Sequence, residues 1–328
     1  MRVLVFGAGV IGCELAHLCY QAGNSVTLLA RGAWADVLER RGLVIRHALQ
    51  MRTTTDRVHV IRQLSPENRY DMIFVVMQQT QVPAVLPTLA ANVSPRVVLV
   101  GNNMQASACE QEILDACPSK EVAFGFFMAA GHRESERVVS LHLNPKLICG
   151  PLDAKTKPLS DAMRERVASA IGAKSLQDEH SMDAYLKCHA VSVLPIVYLC
   201  FAHDYDLTKV SFGETREGLA ATCEAYRMYR ELGIALRPDG EDEALDNECK
   251  GLALPMFAVY KTFVGRLVAS DHCSNAPGEM WALDEAFEQL RASAEGYTGS
   301  FEVWDKLRSA AVARFAEAHP GWKAPTGS

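Results

Sequence analysis

The chain has 328 residues, 49% of them hydrophobic and 22% charged, with a formal net charge of −6. That length is a prior for two domains, and that composition belongs to an ordinary globular protein rather than a disordered or fibrous one. The acidic balance, without a run of basic residues, excludes a nucleic-acid surface.

In chain order, Arg2-Val3-Leu4-Val5-Phe6 is a short apolar run that reads as a buried strand. Gly7-Ala8-Gly9-Val10-Ile11-Gly12 follows directly, then a helical pattern with Leu15, Ala16, Leu18 and Cys19 on one face. Gly23-Asn24 ends that helix, and Ser25 to Ala30 forms a second strand. A GxGxxG pattern gains meaning only between a strand and a helix, and here it has that context. Gly7 permits the tight turn, Gly9 lets the backbone approach a pyrophosphate, and Gly12 lets the helix pack close to the sheet. Ala8, Val10 and Ile11 complete the turn, and the helix start offers unpaired N–H groups to an anion. An NAD site places Asp or Glu at the end of the second strand, for the ribose 2′-hydroxyl. Here that place holds Arg31-Gly32, with the nearest acid, Asp36, further on. A guanidinium suits a 2′-phosphate, so the expected cofactor is NADP(H).

Beyond Arg31 the pattern predicts a helix over 33–41, a strand over 43–45, and a polar irregular stretch over 47–70 with one strand at 58–60. Asp71 to Met77 is a nearly continuous apolar run, the mark of a strand covered on both faces. Arg96 to Val100 and Val122 to Phe127 are further strands, separated by a helix over 106–116. Ligands bind beyond the carboxyl ends of such strands, which makes Gln78 to Gln81 and Gly101 to Asn103 candidates by position. Residues 138–143 and 146–149 are expected to pair as a hairpin across Asn144-Pro145. From Asp183 onward only helical periodicities remain, over roughly 183–203, 214–232, 241–268, 280–294 and 299–318. The predicted fold is therefore α/β: a Rossmann-type doubly wound sheet over residues 1–176, followed by an all-α domain over residues 177–328.

The ten cysteines are scattered and none forms a CxxC pair, which suits a reducing compartment. No hydrophobic leader precedes the first strand and no apolar stretch is read as spanning a bilayer, so a cytoplasmic location without a membrane partner is expected. No metal site is expected either: His203-Asp204-Tyr205-Asp206 lacks paired metal-ligand spacing. No GxSxG turn is present.

The stretch GAGVIGCELAHLCYQAGNSVTLLARG resembles the ketopantoate reductase family, within the wider 6-phosphogluconate-dehydrogenase-like group. The likeness can be followed over most of the first domain and thins in the helical one. It implies a Rossmann domain holding NADPH, a helical domain that carries the substrate site and offers a dimer face, and reduction of a small 2-oxo acid. The family reaction is 2-dehydropantoate to pantoate, a step in pantothenate biosynthesis. By resemblance, Gln78 stands where the family has a cofactor-contacting lysine, Asn102 is retained, and Asn103 replaces a glycine at a place where a left-handed backbone would be tolerated. Ala130 matches an alanine beside the cofactor. Asp183-Ala184-Tyr185-Leu186-Lys187 resembles the start of the interdomain helix, which makes Lys187 the general acid.

The family then has two asparagines, one and two turns on; here Val191 and Pro195 stand there, with Ser192 and His189 the nearest polar side chains. Ser270 and Glu279 fall in the region of a substrate-holding serine and glutamate. A register that aligns Asp284 would instead put Ala282 at the glutamate's place. Two readings stay open at this point. One is an NADPH-dependent 2-oxo-acid reductase, including a related opine-type dehydrogenase; the other is an NADP(H)-binding sensor that has lost the chemistry.

Overall fold

The computed structural model describes residues 1–325. The chain divides into two compact units, Met1–Asp183 and Ala184–Ser328.

The first unit contains β1 (Arg2–Phe6), α1 (Val10–Gln21), β2 (Ser25–Leu29), α2 (Gly32–Arg41), β3 (Leu43–His47), β4 (Arg52–Asp56), β5 (His59–Ile61) and β6 (Met72–Val76). There follow α3 (Leu86–Ala91), β7 (Arg96–Val100), α4 (Ala106–Ala116), β8 (Glu121–Phe127), β9 (Ala130–Arg133), β10 (Val138–Leu141), β11 (Leu147–Gly150), α5 (Asp161–Ile171) and β12 (Leu176–Asp178). Eight strands form one sheet in the order β12-β11-β8-β7-β6-β1-β2-β5, parallel throughout except for the antiparallel pair β8–β11. All five residues of β6 are buried, as its unbroken apolar run requires of a strand covered on both faces.

A second, four-stranded sheet has the order β4-β3-β10-β9. Helix α1 packs against β1, β2 and β6 of the first sheet and against β3, β9 and β10 of the second. It is therefore buried on more than one side, and Cys13, Leu15, Ala16 and Cys19 are solvent-inaccessible.

This second sheet corrects two expectations. Residues 138–141 do not form a hairpin with 147–150: β10 pairs with β3 and β9, while β11 pairs with β8 and β12. The stretch 47–70 is more ordered than its polarity suggests, since β4 pairs residue for residue with β3. The domain boundary also moves, from residue 176 to Asp183, because β12 adds to the large sheet beside β11.

The second unit holds most of α6 (Met182–Ala202), then α7 (Phe212–Glu231), α8 (Glu241–Asp246), α9 (Ala253–Tyr260), α10 (Phe263–Gly265), a π-helical turn (Arg266–Ser270), α11 (Asp271–Asn275), α12 (Pro277–Ala292) and α13 (Glu302–Ala318). The single helix expected over 241–268 is broken where Glu248 and Cys249 take left-handed backbone angles of 51° and 52°. Against the sequence expectation, α6 is long and apolar enough to cross a membrane by length and composition alone; 72% of its apolar window is buried inside the protein, as in a core helix. Pro195 lies inside α6 and supplies no N–H to the carbonyl of Val191 four residues earlier. The Thr222 hydroxyl of α7 reaches that carbonyl at 3.4 Å and fills part of the gap.

The core of this unit is tied by a buried fork. Arg308 donates from Nε and Nη2 to the two carboxylate oxygens of Asp284, at 2.7 and 2.8 Å, and Tyr198 donates its hydroxyl to Oδ1 at 2.6 Å. Asp284 is thus a structural ion-pair partner within the helical unit, fully buried and already satisfied.

Candidate functional site

In the large sheet the chain runs from β1 outward to β2 and later returns to β6 on the other side of β1. Such a reversal opens a crevice at the carboxyl ends of the strands. Four of the expected segments meet there: the glycine turn after β1, Arg31 after β2, Gln78 after β6 and Asn102 after β7.

The glycines carry separate loads, visible in what a Cβ would strike. Gly7 has φ +121°, and a Cβ there would lie 2.0 Å from the carbonyl oxygen of Val76. At Gly12 it would lie 1.9 Å from the Gly7 carbonyl oxygen. Those two glycines close the turn against β6 and against the helix. Gly9 is different: it is exposed, its backbone is extended (φ −72°, ψ −172°), and a Cβ would meet nothing within 4 Å. Nothing in the fold demands glycine there, and the bare backbone is open to the close approach of a ligand. The start of α1 has neither a side-chain cap nor an acidic residue in its first turn, which leaves its N–H groups and positive dipole end to an anion. The residues present therefore fit a dinucleotide pyrophosphate.

Two side chains that the sequence did not single out brace this turn. Trp34 on α2 donates its indole N–H to the Ala8 carbonyl at 2.9 Å, and the Arg133 guanidinium stacks 5.2 Å above the Trp34 ring. Arg133 also lies close enough to act on the Cys13 thiol of α1, although burial dominates and pushes that thiol up to about 12. Arg133 is thus a second cation beside the glycine turn.

Arg31 is exposed at the end of β2, and among the described residues no carboxylate pairs with it. Asp36, the nearest acid, is engaged elsewhere: Arg62 donates to it at 2.5 Å and to Glu39 at 2.9 Å. Gln78 and Asn102 are half-buried. The left-handed backbone expected of Asn103 sits instead at Gly101, with φ +137°. Asn103 is buried and works as a local brace, its Oδ1 accepting the Gln105 N–H at 2.9 Å. Ala130 opens β9, in the small sheet, and pairs with Leu141.

In the second unit, Lys187 lies on α6 and is half-buried. Its backbone carbonyl accepts the Tyr229 hydroxyl at 3.4 Å. Ser192 donates back to the His189 carbonyl at 2.8 Å. Ser270 ends the π-helical turn and Glu279 lies in the first turn of α12, both buried. His272, which the sequence reading passed over as a site residue, joins these segments. Its Nε2 is 4.0 Å from Glu279 Oε2, and it acts electrostatically on His189. Burial, with His272 as the smaller cause, brings His189 down to about 4. A histidine held neutral in the fold makes the unfolded chain the better proton binder between about pH 4 and 6.5. That stabilising contribution is complete above 6.5 and lost as pH falls toward 4. Denaturant unfolding of His189→Asn against the parent across pH 4–7 is expected to show a shallower acid loss, by up to about one proton's worth of slope. Identical slopes would contradict the neutral assignment.

Comparison with known proteins places the architecture. Residues 3–154 match the family model described as ketopantoate reductase PanE/ApbA. The match covers most of the first unit and none of the helical one. No curated protein matches the chain significantly. Among solved structures, the chain is similar to D-mandelate dehydrogenase bound to NADH and anilino(oxo)acetate, with TM-score 0.72 and 15% identity over 97% of this chain and 99% of that one. It is also similar to a PanE/ApbA family ketopantoate reductase from Ralstonia eutropha JMP134, with TM-score 0.70 and 16% identity over 97% of this chain and 100% of the other. A 2-dehydropantoate 2-reductase from Geobacter metallireducens GS-15 gives TM-score 0.71 and 14% identity over 97% and 100%. At such identities these likenesses speak to the fold. The ketopantoate reductase architecture, a mixed α/β unit followed by a helical one, is the architecture seen here.

Proposed function

We propose that the chain is an NADPH-dependent reductase of a small 2-oxo acid. The observation that carries this reading is Gly9, a glycine that the fold itself does not require, at the uncapped start of α1 in a ketopantoate reductase-type unit. When bound, NADPH would supply the hydride. Gly7 to Gly12 would hold the pyrophosphate, Arg31 the 2′-phosphate, and Gln78, Asn102 and Ala130 the nicotinamide end. Lys187 would protonate the substrate oxygen as it gains charge, and before that stabilise the charge as an ammonium. Ser192, Ser270 and Glu279 are the polar groups for the acid. Val191 is fully buried where the family resemblance expects an asparagine, and Pro195 replaces the next. Those replacements favour a 2-oxo acid with a less hydroxylated side chain than 2-dehydropantoate. The same reading takes the protein as cytoplasmic and as a homodimer.

One observation favours the second reading, a sensor without chemistry: Gln78 brings no charge to the place of the family lysine. It does not displace the first, because hydride transfer needs mainly a positioned cofactor and one proton donor.

NADP selectivity is tested at Arg31. In Arg31→Ala, affinity for NADPH is expected to fall by about tenfold to a hundredfold, the range of a lost charge-assisted contact, while NADH binding stays nearly the same. Fluorescence titration with both nucleotides measures it. An equal loss for both would overturn the NADP assignment.

A further inference from the structure

The side of α1 that faces the small sheet carries a polar cluster deep in the first unit. Glu14 and His47 are fully buried and His142 is 9% exposed. The donors come from three elements: Glu14 from α1, His47 from the end of β3, and His142 from the residue after β10. His47 is the register partner of Ser140, so alternation along β10 sets His142 on the same face. The gaps are short: Glu14 Oε1 to His142 Nε2 is 2.9 Å, His47 Nδ1 to His142 Nε2 is 3.3 Å, and Glu14 Oε1 to His47 Nδ1 is 3.9 Å.

We propose that Glu14, His47 and His142 form a binding site for a divalent transition-metal ion of the zinc class. The three separations define a triangle whose point equidistant from its corners lies about 2.0 Å from each atom, which is the bond length of Zn–N and Zn–O. The pairing within the triangle is poor without an ion. Glu14 Oε1 is ion-paired with His142 Nε2 at 2.9 Å, but Glu14 Oε2 and His142 Nδ1 have no hydrogen-bond partner. A buried carboxylate with one oxygen left unpaired is costly, and a shared cation relieves it.

The surroundings complete the pattern. His47 holds its other ring nitrogen 2.9 Å from Thr54 Oγ1, the kind of second contact that fixes a metal-bound imidazole. Gln50 donates to the His142 carbonyl at 2.9 Å and steadies that segment. Two nitrogens and one oxygen suit zinc, cobalt, nickel or copper rather than magnesium or calcium. His142 adjoins Leu143, which is 89% exposed, so an ion has a short way in from the surface. The site would clip α1 to the small sheet from behind the glycine turn.

The test uses tag-free full-length protein, stripped with chelator and titrated with CoCl2, then with ZnCl2. One equivalent of Co2+ is expected to bind with the visible d–d absorption of a low-coordinate site and to be displaced by Zn2+, and Zn2+ is expected to raise Tm by about 5 °C. Glu14→Gln and His142→Gln should lose that spectrum, whereas His203→Gln should keep it. Anomalous scattering at the zinc edge from soaked crystals locates the ion without any variant. No saturable binding overturns the site, as does an ion density elsewhere or a spectrum unchanged in both variants. NADPH binding does not enter any of these readouts, so their outcome is separate from that of the reductase reading.

Discussion

Replacing Lys187 with Ala is expected to lower kcat for 2-oxo-acid reduction by about 10²- to 10⁴-fold, the range a positioned general acid supplies. NADPH affinity should change little, because no role in holding the nucleotide falls to this residue. Asp183 to Lys187 lie in the opening of α6, the helix that leads into the helical unit. A carbonyl oxygen receiving hydride becomes an alkoxide, and an ammonium beside it both offsets the charge and donates the proton. Lys187→Arg separates the two contributions, since guanidinium keeps the charge but is a poor acid. It should recover part of the substrate affinity and little of kcat. Steady-state kinetics with a panel of 2-oxo acids decides this; an Ala variant as fast as the parent removes Lys187 from the mechanism.

The second large effect is a contrast between two glycines three residues apart. Gly9→Ala is expected to fold with stability within about 0.5 kcal/mol of the parent, because its Cβ enters open space on a backbone that alanine adopts freely. It should nevertheless lose at least about tenfold in NADPH affinity, since the methyl occupies the approach to the pyrophosphate. Gly12→Ala should do the opposite damage. Its Cβ would lie 1.9 Å from the Gly7 carbonyl oxygen, so the helix must part from the turn and the protein is destabilised outright. Thermal unfolding and nucleotide titration of both variants check the pair. If Gly9→Ala bound NADPH as well as the parent does, the turn would not be the pyrophosphate site.

The glycine turn was readable because its determinants are local. Gly7 needs a positive φ, Gly12 needs a bare Cα, and both needs arise within a few residues of chain. The strands β1, β2, β6 and β7 were equally plain, since burial of all but their first residues in three of them, and of every residue in β6, leaves mostly apolar runs. The small sheet was not, because β10 pairs in parallel with β3, far back in the chain, and β4 carries threonines on an edge that needs no apolar signal. The hairpin expected over 138–149 does not form for that reason: the two strands, though near in sequence, pair in different sheets. Asn103 shows the same limit on a smaller scale, since the left-handed residue turned out to be its neighbour Gly101.

Glu14, His47 and His142 share no spacing motif, and only the clamping of α1 between two sheets brings them together. In the helical unit Ser270 ends the π-helical turn and Glu279 lies in the first turn of α12. It was His272, near both Glu279 and His189, that connected them to α6. Asp284, which competed for the alignment, is occupied by Arg308 and Tyr198.

Hydride transfer to C2 of a 2-oxo acid is the proposed step on which the other site assignments depend. It is tested most directly by incubating the protein with NADPH deuterated at C4 of the nicotinamide and a panel of 2-oxo acids, 2-dehydropantoate and phenyl-substituted acids included, and analysing the products by mass spectrometry. The expected product is a 2-hydroxy acid carrying deuterium at C2, formed from NADPH in preference to NADH. Tight NADPH binding with no deuterated product from any acid would contradict it and leave a nucleotide sensor in its place.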